Sequence, residues 1–171
     1  MGSIIFKPQF CRTRIRRSHL FDIINSMNID TKARLTGGKS IVINAFVNHV
    51  WAIQSDINNW PKWQKDISYA NLEGKLVKGT VFKWKAMGMS ITSELQEVVV
   101  NRAIGWTGKS LGMVAVHYWG FEKQGNKTRV TTKESLSGWF PIIIKIVKPN
   151  FLDESLTKAL NILKNYSEAT K

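Results

Sequence analysis

One stretch constrains this chain more than any other: Phe151 to Tyr166, FLDESLTKALNILKNY. Leu152, Leu156, Ala159, Leu160, Leu163 and Tyr166 recur at steps of three and four, while Asp153, Glu154, Lys158, Asn161, Lys164 and Asn165 fall on the other side. That pattern is one apolar stripe on an amphipathic helix. Asp153 and Glu154 near its start and Lys164 near its end suit the helix dipole. Pro149 and Asn150 set the start, because Pro is tolerated in a first turn and Asn caps well. So wide a stripe has to be buried. The residues before it read as strands, so a sheet wrapped around this helix is expected.

Upstream, Ser40–Asn44 reads as a short strand. Ala45–Gln54 reads as a helix, and Asp56 starts a second helical piece that Pro61 interrupts, DINNWPKW. From Ile67 the period changes to two. Strands are expected over Ile67–Leu72, Thr80–Met87, Ser90–Val100, Ala103–Thr107, Met113–Lys123 and Lys127–Leu136. Gly88, Asn101-Arg102, Gly108–Gly112 and Gly125-Asn126 supply the turns between the last five. Gly138 and Pro141 end the last strand, and a short apolar segment leads to the final helix. The class is α+β: about seven antiparallel strands, two short helices after the first, and one long helix at the end.

Size and charge narrow the reading. At 171 residues the chain has room for one domain with a real core. The formal net charge is +13, with seven Lys/Arg against two acids in residues 1–34 and 18 against ten in the rest. Residues 1–34 read as a basic extension, partly disordered or foreign to the natural protein, with Met27 as an internal start. Residues 35–171 read as the folded domain. Cys11 is the only cysteine, which leaves no intrachain disulfide and suits a reducing compartment, the cytoplasm. No apolar run approaches a membrane span.

The segments VNHVWAIQSDINNWPKWQKDI, GTVFKWKAMGMSITSELQEV, NRAIGWTGKSLGMVAVHYWGFE and TRVTTKESLSGW resemble the SRPBCC superfamily. Within it they look like the polyketide cyclase/dehydrase branch of the START and birch-pollen-allergen-like group. The likeness spans about residues 38–168, and its most specific part is Val50-Trp51 with the turn Trp60-Pro61-Lys62-Trp63. The resemblance implies a helix-grip fold, with the sheet curved around the C-terminal helix and a cavity between them. It implies a hydrophobic or amphipathic small molecule, lipid or polyketide-like, as the partner, and no cofactor. Members range from cyclases to carriers, so the fold does not choose a reaction.

Within that frame the best constellation is His117 with Glu134. A two-residue turn at Gly125-Asn126 sets His117 opposite Glu134, Trp119 opposite Thr132 and Phe121 opposite Val130. A buried carboxylate beside an imidazole favours an ion pair or a shared proton, and raises the His pKa if the pair is charged. The pair could anchor a ligand carbonyl, or His117 could act as a general base oriented by Glu134. The plainer reading is a satisfied polar pair in an apolar cavity. Phe82, Trp84, Trp106, Trp119, Phe121 and Thr132 share the cavity face and face Leu156 and Leu160. Aromatics there can wall a pocket or fill a core. Trp51, Trp60 and Trp63 read as a plug at the end of the sheet, and Trp139 and Phe140 as residues of a cavity mouth.

Other motifs are set aside. Gly108–Gly112 matches the G-x-S-x-G elbow, but strands flank it where a helix should follow. Gly38-Lys39-Ser40 lacks the first glycine of a phosphate loop. His19, His49 and His117 have no metal-ligand spacing. Arg12–Arg17 is the one dense basic cluster, so nucleic acid is not favoured. An anionic membrane surface is the other partner this charge allows.

Overall fold

The computed structural model describes Met27 and residues 29–171. The Arg12–Arg17 cluster, Cys11 and His19 lie outside the described residues. Seven strands form one antiparallel sheet: β1 (Leu35–Ile43), β2 (Ile67–Leu72), β3 (Val81–Ala86), β4 (Met89–Val99), β5 (Ala103–Ser110), β6 (Met113–Gln124) and β7 (Lys127–Ser137). Their order across the sheet is β1-β7-β6-β5-β4-β3-β2. The helices are α1 (Val47–Ser55), α2 (Trp60–Trp63), α3 (Phe140–Val147) and α4 (Phe151–Ala169), with a 3-10 turn at Ile57–Asn59 before α2. This is the helix-grip arrangement expected from the sequence. No helix among the described residues is long and apolar enough to cross a membrane.

Helix α4 buries Leu152, Leu156, Leu160, Leu163 and Ser167 against the sheet. Each buried leucine contributes about 1.5–3 kcal/mol of transfer free energy. The helix lies so close to β1 that a Cβ at Gly37 would sit 3.3 Å from both Leu152 and Leu156. That explains why β1 starts at Leu35 and not at Ser40. Gly37-Gly38 looks like a break in the sequence, yet it is strand backbone thinned to admit the helix. Tyr166, placed on the buried stripe by its spacing, is 36% exposed and stacks on Trp63 at 5.8 Å instead. Asn150 stands at the N-cap without a side-chain capping bond.

Two further boundaries differ from expectation. β5 runs to Ser110, and only Leu111-Gly112 turns, because Gly105 and Gly108 are in-strand glycines with neighbours where a side chain would go. The Met27 side chain covers Gly105, and the Ser93 hydroxyl faces Gly108. The apolar segment after β7 is a true helix, α3, although its run of isoleucines favours strand. Pro141 starts it, where a missing N–H costs nothing. On the outer face of the sheet, the Met27 N–H donates to Glu97 Oε2 at 2.6 Å and the Asp30 N–H to Ser135 Oγ at 3.0 Å.

Candidate functional site

The strand ends define two ends of the domain. The β2–β3, β4–β5 and β6–β7 connections lie at one, together with the entry to α1. The β3–β4 and β5–β6 turns, α3 and the start of α4 lie at the other. Between sheet and α4, the first end is filled. Trp60 is 1% exposed, and its ring centroid stands 5.7 Å from Phe82, 5.7 Å from Trp84 and 5.5 Å from Trp106. Its indole N–H donates to the Gln54 carbonyl at 2.9 Å. Trp51 meets Phe121 edge-on at 5.6 Å.

The second end stays open. A pocket of about 280 Å³ lies there between the sheet and the first half of α4. Its wall is apolar, with Trp84, Ile91, Met113, Leu136, Ile144 and Ala159. His117 and Glu134 are its inner polar groups, while Gln64, Ser155 and two ion pairs stand nearer the mouth. One pair ties Lys158 Nζ to Asp66 Oδ2 at 2.6 Å, and the other ties Lys148 Nζ to Glu154 Oε2 at 2.8 Å.

Of the ten residues singled out from sequence, the structure brings Trp84, His117, Glu134 and Leu156 to this pocket. Phe82, Trp106, Trp119, Phe121, Thr132 and Leu160 lie behind it in the core, each at most 6% exposed. The face was assigned correctly. What alternation could not show was how far along each strand the aromatic filling reaches, because Trp60 arrives from α2 and occupies that half. Sequence reasoning missed Met87, Met89 and Met113, which belong to the mouth. The repeated form KAMGM and KSLGM at two turns was the available signal.

The register expected for β6 and β7 is observed: His117 opposite Glu134, Trp119 opposite Thr132, Phe121 opposite Val130. His117 Nδ1 lies 3.4 Å from Glu134 Oε1, long for a hydrogen bond. His117 Nε2 is 2.9 Å from the Thr132 hydroxyl. The imidazole sits between Trp106, at 4.9 Å, and Trp119, at 5.6 Å. This dry setting decides the charges. Burial pushes the His117 pKa down to about 3 and the Glu134 pKa up to about 7. The condition for a raised His117 pKa, a charged pair, is therefore not met: desolvation outweighs a carboxylate held at 3.4 Å. Near neutral pH the imidazole is uncharged, and the carboxyl holds its proton far more readily than an exposed one. Such a carboxyl can donate to, or accept from, a polar atom in the pocket. An imidazole of such low basicity is a poor general base.

The family described as polyketide cyclase/dehydrase and lipid transport matches residues 36–168. No curated protein sequence matches the chain. Among solved structures, a hypothetical protein from Helicobacter pylori is similar at a TM-score of 0.72 and 20% identity, over 84% of this chain and 99% of its own. A START superfamily protein from Mycobacterium smegmatis is similar at 0.70 and 14%, over 80% and 99%. The ZhuI aromatase/cyclase from Streptomyces sp. R1128 is similar at 0.68 and 11%, over 78% and 93%. At these identities the likeness is one of fold.

Proposed function

The chain belongs to the polyketide cyclase/dehydrase and lipid transport family, and from that premise we propose that it holds one hydrophobic or amphipathic small molecule between the sheet and α4. The observation that carries this reading is the open half of the grip: an apolar wall with a single carboxyl–imidazole pair at its inner end. A ligand that fits has an apolar body and one carbonyl or hydroxyl that reaches Glu134. Binding would expel water from Ile91, Met113 and Ala159 and satisfy a carboxyl that is costly to leave unpaired. The single cysteine of the sequence suits work in a reducing compartment, the cytoplasm.

Native mass spectrometry, followed by solvent extraction of whatever travels with the protein, tests this directly. A discrete extra mass is expected, and Ala159→Phe, which fills the pocket from α4, removes it without unfolding the domain. An unliganded mass, together with no thermal shift from a panel of fatty acids and aromatic polyketide-like compounds, would sink the carrier reading.

The placement of Glu134 in the pocket wall, 3.4 Å from His117, supports a second reading, an enzyme of the cyclase/dehydratase kind. A carboxyl with a pKa of about 7 is matched to proton transfer at neutral pH. In that case Glu134 exchanges the proton and His117 positions it, the reverse of the roles assigned from sequence. Glu134→Gln would then abolish turnover while leaving ligand bound, and the rate would follow a titration near pH 7. A carrier shows no turnover to lose.

A further inference from the structure

The mouth of the pocket opens into an apolar surface that the domain leaves uncovered. Helix α3 turns Ile144 inward, onto the pocket and the Leu136–Leu152 cluster. Its other aliphatic residues face outward: Ile142 is 40% exposed, Ile143 46%, Ile146 77% and Val147 78%. Trp139, just before it, is 54% exposed. At the same end the β5–β6 turn shows Leu111 and the β3–β4 turn shows Met87. The opposite end exposes Phe46, Val77 and the adjacent Val99 and Val100, but in three separate connections. Apolar side chains gathered at one end in this way mark an interaction site.

Charge says what covers it. The three segments that build the face, residues 85–89, 109–113 and 139–149, contain Lys85, Lys109, Lys145 and Lys148 and no aspartate or glutamate; the acids nearby, Glu154 and Asp66, are paired with Lys148 and Lys158, which leaves Lys85, Lys109 and Lys145 as the uncompensated charge. A second copy of the chain seated here would bring these lysines against their equals, which opposes association. A bilayer with anionic headgroups meets both features, taking the aliphatic side chains below its surface and the ammonium groups at it. We propose that this end of the domain docks on an anionic membrane surface, with α3, Trp139, Leu111 and Met87 entering the headgroup layer and the pocket mouth facing the lipid. The inference goes beyond the ligand reading and does not depend on it, because the face exists whether or not the pocket is filled.

Trp139 makes the test specific. The other six tryptophans are buried or half-buried, and residues 1–26 contain none. Quenching by brominated phospholipid therefore reports this face even if the basic leader also touches vesicles. The full chain is mixed with phosphatidylcholine vesicles with and without about 30% phosphatidylserine, and both sedimentation and quenching are followed. Binding with quenching is expected on the anionic vesicles, and Trp139→Phe should remove most of the quenching. Ile146→Glu combined with Val147→Glu should weaken binding by about tenfold or more, since two exposed aliphatic residues lose their burial. Lys145→Glu should weaken it by about fivefold or more. Because Ile146, Val147 and Lys145 are exposed, thermal melting should be unchanged, and Val100→Glu at the opposite end should bind as the parent does. Sedimentation without Trp139 quenching would overturn the proposal and assign membrane contact to another region. So would quenching that survives Ile146→Glu with Val147→Glu. A dimer in analytical ultracentrifugation that those substitutions dissolve, with no vesicle binding, would also overturn it in favour of self-association.

Discussion

The two ends of this domain use the same materials to opposite effect. Both have antiparallel turns below and α4 above. At the far end three rings gather around Trp60, and Thr128 donates its hydroxyl to the Ala45 carbonyl at 2.8 Å. Glu168 closes that end by accepting from the Asn44 N–H at 2.7 Å and from Lys164 at 2.6 Å. The hydrogen bond from Lys164 holds the Glu168 carboxyl below the usual carboxylate range. At the mouth end the same α4 has Ala159 and Ser155 where larger residues would meet the sheet, and a pocket remains. The far end makes the domain stable, which leaves the mouth end free to be incompletely packed. Proteins place function in such low-stability regions.

Truncation should separate the two ends most sharply. Trp60→Ala removes a fully buried ring and should cost about 3–5 kcal/mol. Ile146→Ala, at the mouth, should stay within about 0.5 kcal/mol. Urea denaturation of both variants checks the contrast. Equal losses would break the comparison, because α3 would then be part of the stabilising core.

The pair between the two halves should show itself in pH. Unfolding lowers the Glu134 pKa from about 7 to its ordinary 4.5, so Glu134 favours the folded state less and less as pH rises from 4.5 to 7. Unfolding raises the His117 pKa from about 3 to its ordinary 6.5, so His117 favours the folded state more and more as pH rises from 3 to 6.5. The slopes oppose each other between 4.5 and 6.5, and the pair's contribution should be flat there. It should fall by about 2 kcal/mol on going from pH 4.5 to 3, and by less than about 1 kcal/mol above 6.5. In His117→Gln the flat region should become a steady fall in stability from pH 4.5 to 7. In Glu134→Gln it should become a steady rise from 3 to 6.5. Thermal midpoints measured across pH for the parent and both variants decide it. A parent profile that rises steadily from 4.5 to 6.5 would mean that Glu134 titrates normally and the pocket floor is wet.

How much of this was legible follows the same division. Periodicity placed β2 to β7, the α4 stripe and the His117–Glu134 register, because those depend on spacings of two and of three to four that any sequence displays. The sheet wrapped around α4 followed from the buried stripe and the strands before it, and the resemblance identified it as a helix grip. The pocket's extent was not legible, because it depends on how far Trp60 reaches from a four-residue helix into a sheet formed from later residues. Thus Phe82, Trp106 and Trp119 share a face with the pocket yet line none of it. The charge state of His117 was hidden for a related reason: sequence put Glu134, Trp106 and Trp119 on its face, but not how closely the two indoles crowd the imidazole and dry it. Helix α3 was hidden because β-branched residues that avoid helices in isolation are tolerated where tertiary contacts fix the chain.

The smallest effect tests the open end itself. Met87 lies at the tip of the β3–β4 hairpin with φ 46°, followed by Gly88 at φ 82°. Left-handed backbone at both turn positions suits Asn-Gly, whereas Met there is strained. At the far end the β4–β5 turn meets the same need with Asn101 at φ 60°. A turn chosen for folding alone would have Asn at both sites. Met87→Asn should therefore raise stability, by up to about 1 kcal/mol. It should also weaken contact with anionic vesicles, because it removes an apolar side chain that is 58% exposed at the mouth. Opposite signs in the melting and vesicle measurements would show that this end has given up stability for a contact. A variant that is more stable and binds vesicles equally well would remove Met87 from the docking face and restrict that face to α3 and Leu111.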